Sequence, residues 1–200
     1  MRARSVWFVP IAAALLSLSS HAQAAMSVFG TPEAVECFEK ADAGSSDTRA
    51  CDSALKDPDL FERDRASTFV NRGIIYNNAR KMTLALTDFA AALAIDPNIA
   101  AAYLNRGNSK FLQGKLDEAI ADYTHALDLK IDRASAAYYN RALARVAQHR
   151  LQDAKADLEA ALAVDEDFKE AKDELAAVNA ALASNAKEPP TPSAPPSLND

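Results

Sequence analysis

The tripeptide Asn71-Arg72-Gly73 recurs as Asn105-Arg106-Gly107 and, with one change, as Asn140-Arg141-Ala142. The two intervals are 34 and 35 residues. A period of this length indicates an array of like structural units, which bury their apolar faces by stacking on one another. The stretch from residue 66 to residue 168 therefore decides the fold.

A second pattern follows each tripeptide. In every unit an alanine precedes a large side chain by four residues, and another alanine follows it three residues later. These sets are Ala85, Phe89 and Ala92; Ala119, Tyr123 and Ala126; and Ala154, Leu158 and Ala161. This spacing puts a small-large-small set on one helical face, which lets two helices approach closely. Each unit is therefore predicted to be a pair of packed helices.

These units resemble the tetratricopeptide repeat, a helix-turn-helix unit of about 34 residues. The resemblance places three units at 66–99, 100–133 and 135–168. It assigns position 4 to Phe69, Tyr103 and Tyr138, and position 8 to Gly73, Gly107 and Ala142. The family's closing proline stands only in the first unit, as Pro97. The resemblance implies an all-α fold, a right-handed α-solenoid of antiparallel helix pairs, in a small exported protein of bacterial type.

The segments on either side of the repeats are also predicted to be helical. Residues 31–65 read as a degenerate helical hairpin and a lead-in helix, with Thr31 and Pro32 as a helix start. Residues 169–184 carry apolar side chains at helical spacing and read as a helix that covers the open end of the array.

The two ends of the chain suggest export. Residues 1–24 combine basic Arg2 and Arg4, an apolar run and the small-residue pattern Ala22-Gln23-Ala24, so a signal peptide cleaved near Ala24 is predicted. An uncleaved membrane anchor is the alternative. The expected location is the periplasm or the extracellular space, with no stable membrane span after cleavage. Residues 185–200 are rich in proline, and we expect them to be disordered.

Cys37 and Cys51 are the only cysteines. In an exported chain an even number of cysteines favours a disulfide, which would close the N-terminal hairpin. The alternative for a reducing compartment is a pair of buried thiols.

The sequence offers no candidate catalytic residue, metal site or cofactor site, so a non-enzymatic protein is predicted. Beyond residue 24 the histidines are His125 and His149, which lie in different repeats without a ligand partner at suitable spacing. The net charge of −6 argues against nucleic acid as a partner. We expect a monomer that takes no small-molecule substrate.

The family resemblance places a peptide-binding groove on the first helices of the repeats. A row of asparagines at position 6, able to donate to and accept from a peptide backbone, would lie between apolar side chains. The alternative is that these amides are merely solvated. The predicted groove consists of Asn71, Asn105, Asn108, Asn140, Val70, Ile74, Leu104, Tyr139 and Leu143.

Two further expectations follow from the repeat positions. Members of the family that clamp a chain-terminal carboxylate carry lysines at positions 2 and 5, where this chain has none, so that mode of binding is not expected. Each repeated arginine precedes an aspartate by 16 residues, and we expect structural ion pairs: Arg72 with Asp88, Arg106 with Asp122, and Arg141 with Asp157.

The predicted function is a non-catalytic protein–protein interaction module that holds an extended peptide or a partner protein in the concave groove. The alternative is a structural subunit or assembly factor of an envelope complex.

Overall fold

A computed structural model describes residues 30–185 and shows an all-α solenoid, which confirms the predicted fold class. The predicted signal peptide (1–24) and residues 186–200 of the predicted tail lie outside the described residues. The helices of the described part are α1 (Pro32–Asp42), α2 (Arg49–Ala54), α3 (Glu62–Asn78), α4 (Met82–Ile95), α5 (Ala100–Leu112), α6 (Leu116–Asp128), α7 (Ala134–Ala147), α8 (Leu151–Val164) and α9 (Lys169–Asn185). None of the helices between residues 30 and 185 is both long and apolar enough to cross a membrane.

Helices α3 to α8 form three hairpins, one for each repeat. Each hairpin turns at repeat position 15, where the backbone is left-handed: φ is 59° at Arg80, 75° at Gly114 and 59° at His149. Only glycine adopts this conformation without steric cost, so the first and third turns are held against a small strain.

The two helices of a repeat interlock where a glycine faces an aromatic ring. A Cβ atom on Gly73 would lie 2.5 Å from Phe89 Cε1, and one on Gly107 would lie 2.6 Å from Tyr123 Cε1. Both rings are fully buried. The missing Cβ is therefore what allows α3 to approach α4 and α5 to approach α6 so closely.

The ends of the array are both covered. Helices α1 and α2 share a core cluster with the first repeat, through side chains such as Cys37, Ala41 and Val70. Helix α9 buries Ala171 and Val178 against the third repeat. Within residues 30–185, a helix or helix pair therefore packs on each end of the three repeats, as capping units do in repeat arrays.

One predicted boundary falls inside a helix. Residue 66 was expected to begin the first repeat after a separate lead-in helix, but α3 already begins at Glu62. Arg65 fixes this first turn, because its guanidinium donates to Leu55 O at 3.0 Å and to Asp57 O at 2.7 Å. The lead-in helix is therefore the first turn of α3.

Candidate functional site

The three repeated asparagines are buried. Asn71 and Asn105 are 0 % exposed and Asn140 is 1 % exposed. The prediction that these amides face an accessible groove, whether to bind a peptide or to meet solvent, is wrong. They lie inside the stack of first helices, where neighbouring repeats meet.

Buried amides join the first helix of each repeat to that of the next. Ser109 Oγ donates to Asn77 Oδ1 at 2.8 Å, which connects α5 to α3. Asn140 Nδ2 donates to Asn108 Oδ1 at 2.9 Å, which connects α7 to α5. Tyr123 adds a third bond, since its hydroxyl donates to Asn108 Oδ1 at 3.0 Å. We call these five side chains the amide seam, and its contacts are structural.

The apolar residues predicted to flank the asparagines are buried as well. Val70, Ile74 and Leu104 are 0 % exposed, Leu143 is 3 % exposed and Tyr139 is 5 % exposed. They pack within the two large core clusters rather than lining an open channel. The groove predicted from the first helices is therefore filled by the protein's own core, because successive first helices pack directly on one another.

The repeated arginines form the predicted pairs inside each hairpin. Arg72 Nε and Nη2 each donate to Asp88 at 2.8 Å, and Arg106 donates twice to Asp122 at 2.9 and 2.7 Å. In the third repeat Arg141 Nη2 donates to Asp157 at 2.6 Å. The hydrogen bonds that Arg72 donates to Asp88 raise the pKa of Arg72, so this guanidinium stays charged. Bidentate ion pairs of this kind stabilise the fold, and they engage the guanidinium groups of the arginines.

The two cysteines are bonded, as predicted. Cys37 and Cys51 form a disulfide with their Cα atoms 4.7 Å apart, and both are fully buried. Cys37 Sγ lies 3.9 Å from Thr68 O, so the bridge rests against α3. It therefore fixes both the α1–α2 hairpin and the surface that this hairpin presents to the first repeat.

An open pocket lies where the two ends of the array approach each other. Its volume is about 500 Å³. One wall comes from the end of α1, and the others come from the start of α7, the α8–α9 turn and the start of α9. The lining residues are Asp42, Arg133, Ser135, Ala136, Asp165, Asp167, Phe168, Lys169 and Glu170. We call this the end pocket.

The end pocket has an apolar base and a charged rim. The Phe168 ring packs against Tyr139 with ring centroids 5.0 Å apart, and Ala136 lies beside them. Ala136 holds position 2 of the third repeat, which the family resemblance assigns to the concave face. On the rim four carboxylates oppose two cations. One of these cations, Lys169, is engaged by Asp173 at 2.7 Å.

Carboxylates at the start of α9 extend this negative region towards Tyr139. Burial is the largest cause that raises the pKa of Tyr139 to about 12, and the nearby Glu174, Glu170 and Asp173 contribute to the same rise. Burial also raises the pKa of the half-buried Glu174. Among residues 30–185, no group of three or more histidine, cysteine, aspartate or glutamate side chains is placed to hold a metal ion.

Comparison with known proteins identifies the class of protein. Residues 100–131 match the tetratricopeptide repeat family model. The first tetratricopeptide domain of RPAP3, solved bound to the HSP90 peptide SRMEEVD, is 28 % identical over 60 % of this chain and 95 % of that one, with a TM-score of 0.58. MamA is 19 % identical over 78 % of this chain and 87 % of its own, with a TM-score of 0.63, and shares the fold. The described residues thus share the helical-repeat fold of tetratricopeptide domains, and residues 100–131 match the repeat itself.

Two curated proteins match a shorter part of the chain. The human mitochondrial import receptor subunit TOM70 is 34 % identical over 70 residues, which is 35 % of this chain and 12 % of TOM70. The yeast small glutamine-rich tetratricopeptide repeat-containing protein 2 is 31 % identical over 67 residues, 34 % of this chain and 19 % of its own. The chain therefore spans under a fifth of either relative, and the likeness is one of repeats.

The end pocket was missed from the sequence because its walls come from opposite ends of the array. A partial signal was present, since an acidic stretch, Asp165-Glu166-Asp167, stands where the third repeat has lost the closing proline. Nothing in that stretch reveals that Asp42 lies across from it.

Proposed function

We propose that this chain is an exported, non-catalytic module that binds an extended segment of a partner protein in the end pocket. The observation that carries the proposal is an open, partly apolar pocket lined by Ala136 and Phe168, in a chain that shares the tetratricopeptide fold. Two solved neighbours support peptide binding: one RPAP3 domain is bound to an HSP90 peptide and the other is in complex with the HSP70 peptide SGPTIEEVD. The proposal includes that the protein acts as a monomer and is located in the periplasm or the extracellular space.

Export is supported by two features of this chain. Residues 1–24 have the basic start, apolar run and small-residue pattern of a cleaved signal. The disulfide is of a kind that persists in oxidising compartments. N-terminal sequencing of protein recovered from the envelope or the medium is expected to begin at Ala25, whereas a chain that keeps Met1 and remains in the cytosol would contradict export.

Site-specific photo-crosslinking tests the binding site. A photoreactive residue at Ser135, on the pocket wall, is expected to label a small set of partner peptides in the extracytoplasmic fraction of the producing cells. The same residue at Ala121, which is exposed on α6 away from the pocket, is the control and is expected to label none of them. Equal labelling from both positions, or none from either, would overturn the end pocket as the binding site.

A further inference from the structure

The charge of the end pocket defines what it accepts. We propose that the occupant is a basic peptide segment, in which an apolar residue packs against Phe168 while an adjacent lysine or arginine meets the carboxylates of the rim. This inference rests on the proposed function and names the class of partner for the same site.

The rim holds more negative charge than its own cations balance. Asp42 comes from α1, whereas Asp165, Asp167 and Glu170 come from the α8–α9 turn and the start of α9, and all four line one opening. The rim cations are Arg133 and Lys169, and Lys169 is held by Asp173, a further carboxylate. Lys172 lies 3.7 Å from Asp167, so the five carboxylates are matched by three cations. A positive side chain entering the pocket is therefore attracted, whereas an acidic segment is repelled.

The pocket walls are suited to a peptide side chain rather than to a free ion. Phe168 and Ala136 are the apolar residues of the lining, and the Phe168 ring packs against the Tyr139 ring. Lysine and arginine combine a long aliphatic stem with a charged end, so one such side chain satisfies both parts of the lining. Asp42, Asp165 and Asp167 are exposed and Glu170 is half-buried, so an entering cation meets these carboxylates at the opening of the pocket.

The chain's own C-terminal segment does not have this chemistry. Residues 186–200 contain Lys187 but also Glu188 and Asp200, so the segment carries no net positive charge. The HSP90 peptide SRMEEVD seen with the RPAP3 domain ends in acidic residues, and this chain has no lysine at repeat positions 2 or 5 to receive them. Charge therefore favours a basic segment of another protein.

The test uses the full oxidised chain and three pools of peptides with blocked termini. The pools share the same randomised apolar positions and differ at two fixed residues, which are lysine, glutamine or glutamate. The lysine pool is expected to be retained about three- to tenfold better than the glutamine pool, as two screened ion pairs predict. The preference is expected to shrink at about 0.5 M salt, and SRMEEVD is expected to bind no better than the glutamate pool.

A matched pair of variants assigns the preference to the pocket. Asp167→Asn with Glu170→Gln removes two rim charges and is expected to reduce the lysine preference severalfold. Glu33→Gln with Asp128→Asn removes two exposed charges away from the pocket and is expected to leave it unchanged, with both variants melting like the wild type.

The remaining outcomes distinguish the basic-segment assignment from the proposed function of peptide binding in the end pocket. Equal retention of the pools, a glutamate preference, or a lysine preference that the pocket variant keeps would overturn the basic-segment assignment while peptide binding stands. Retention of no pool, together with absent crosslinks at Ser135, would remove the proposed function as well.

Discussion

At the scale of single residues, Asn140 has a different role from the one that its position in the repeat suggests. It is 1 % exposed, and its Nδ2 donates to Asn108 Oδ1 at 2.9 Å across the junction between the second and third repeats. A buried amide that loses its partner has no water to replace it. Asn140 therefore belongs to the contacts that hold the array in register.

Replacing Asn140 with alanine is expected to lower the free energy of unfolding by about 1–3 kcal/mol, because a buried hydrogen bond is lost. The better helix propensity of alanine, worth about 0.6 kcal/mol, offsets only part of this loss. Urea denaturation measures the change. Asn179→Ala, on the exposed face of α9, is the control and is expected to be neutral or slightly stabilising. Equal midpoints for both variants would contradict the structural role of Asn140.

Tyr139 makes stability depend on alkaline pH. Its pKa is raised from 10.0 to about 12 by burial. Between these pH values the unfolded chain releases a proton that the folded protein keeps, so stability present below pH 10 is lost as the pH rises towards 12. Tyr139→Phe is expected to remove part of this decline, because burial also raises the pKa of Tyr123. Thermal melts across this pH range measure it, and identical slopes in wild type and variant would show that another group is responsible.

At the scale of the helix pair, repeat position 8 and repeat position 24 are matched in size. Glycine faces an aromatic ring in the first two repeats, whereas Ala142 pairs with the smaller Leu158 in the third. The added Cβ and the lost ring atoms occupy the same space between the two helices. This match explains why one repeat of the three tolerates alanine.

A double-mutant cycle tests the match in the first repeat. Gly73→Ala alone is expected to cost about 1–3 kcal/mol because its Cβ would overlap Phe89, and Phe89→Leu alone costs stability by leaving a gap. The double variant recreates the pair found in the third repeat and is expected to recover about 0.5–3 kcal/mol of the summed loss. Strictly additive losses in chemical denaturation would disprove the coupling.

The contacts within a hairpin could be predicted from the sequence, and those between hairpins could not. Arg106 and Asp122 lie in one hairpin, and the same arginine–aspartate spacing recurs in each of the three repeats. Whether Asn105 is exposed depends instead on how closely α5 packs against its neighbours, which is set by the curvature of the array. The end pocket depends on that curvature still more strongly, because Asp42 and Phe168 meet only after all three repeats have stacked.

At the scale of the whole molecule, each repeat is stabilised by its contacts with the adjacent units, so a change at one end of the array affects the nearest repeat most. The α1–α2 hairpin contacts the first repeat through the shared core and through Arg72 Nη1, which donates to Asp52 Oδ1 at 2.7 Å. The disulfide spans 14 residues of this hairpin. The bridge therefore supports the first repeat as well as the hairpin that contains it.

Reduction of the disulfide is expected to lower the free energy of unfolding by about 3 kcal/mol. This is the contribution at room temperature of the chain entropy that the bridge removes from the unfolded state, for a loop of about this length. Hydrogen exchange is expected to rise most in α1 to α4 and least in α8, because each unit contacts only its neighbours. Mass spectrometry with and without reductant measures this gradient, and a Cys37→Ser, Cys51→Ser variant is the control that reductant should not affect. Uniform loss of protection would contradict the gradient.

The width of the end pocket also depends on the number of repeats. One wall belongs to α1 and the opposite walls to α7 and α9, so the opening has the width set by the units that lie between them. Adding or removing one repeat would keep the packing within every helix pair. An added repeat would nevertheless move these walls apart, and a deleted repeat would bring them into steric conflict. Growth of the array by gene duplication is therefore incompatible with keeping the end pocket, a constraint on the history of the chain that no individual repeat records.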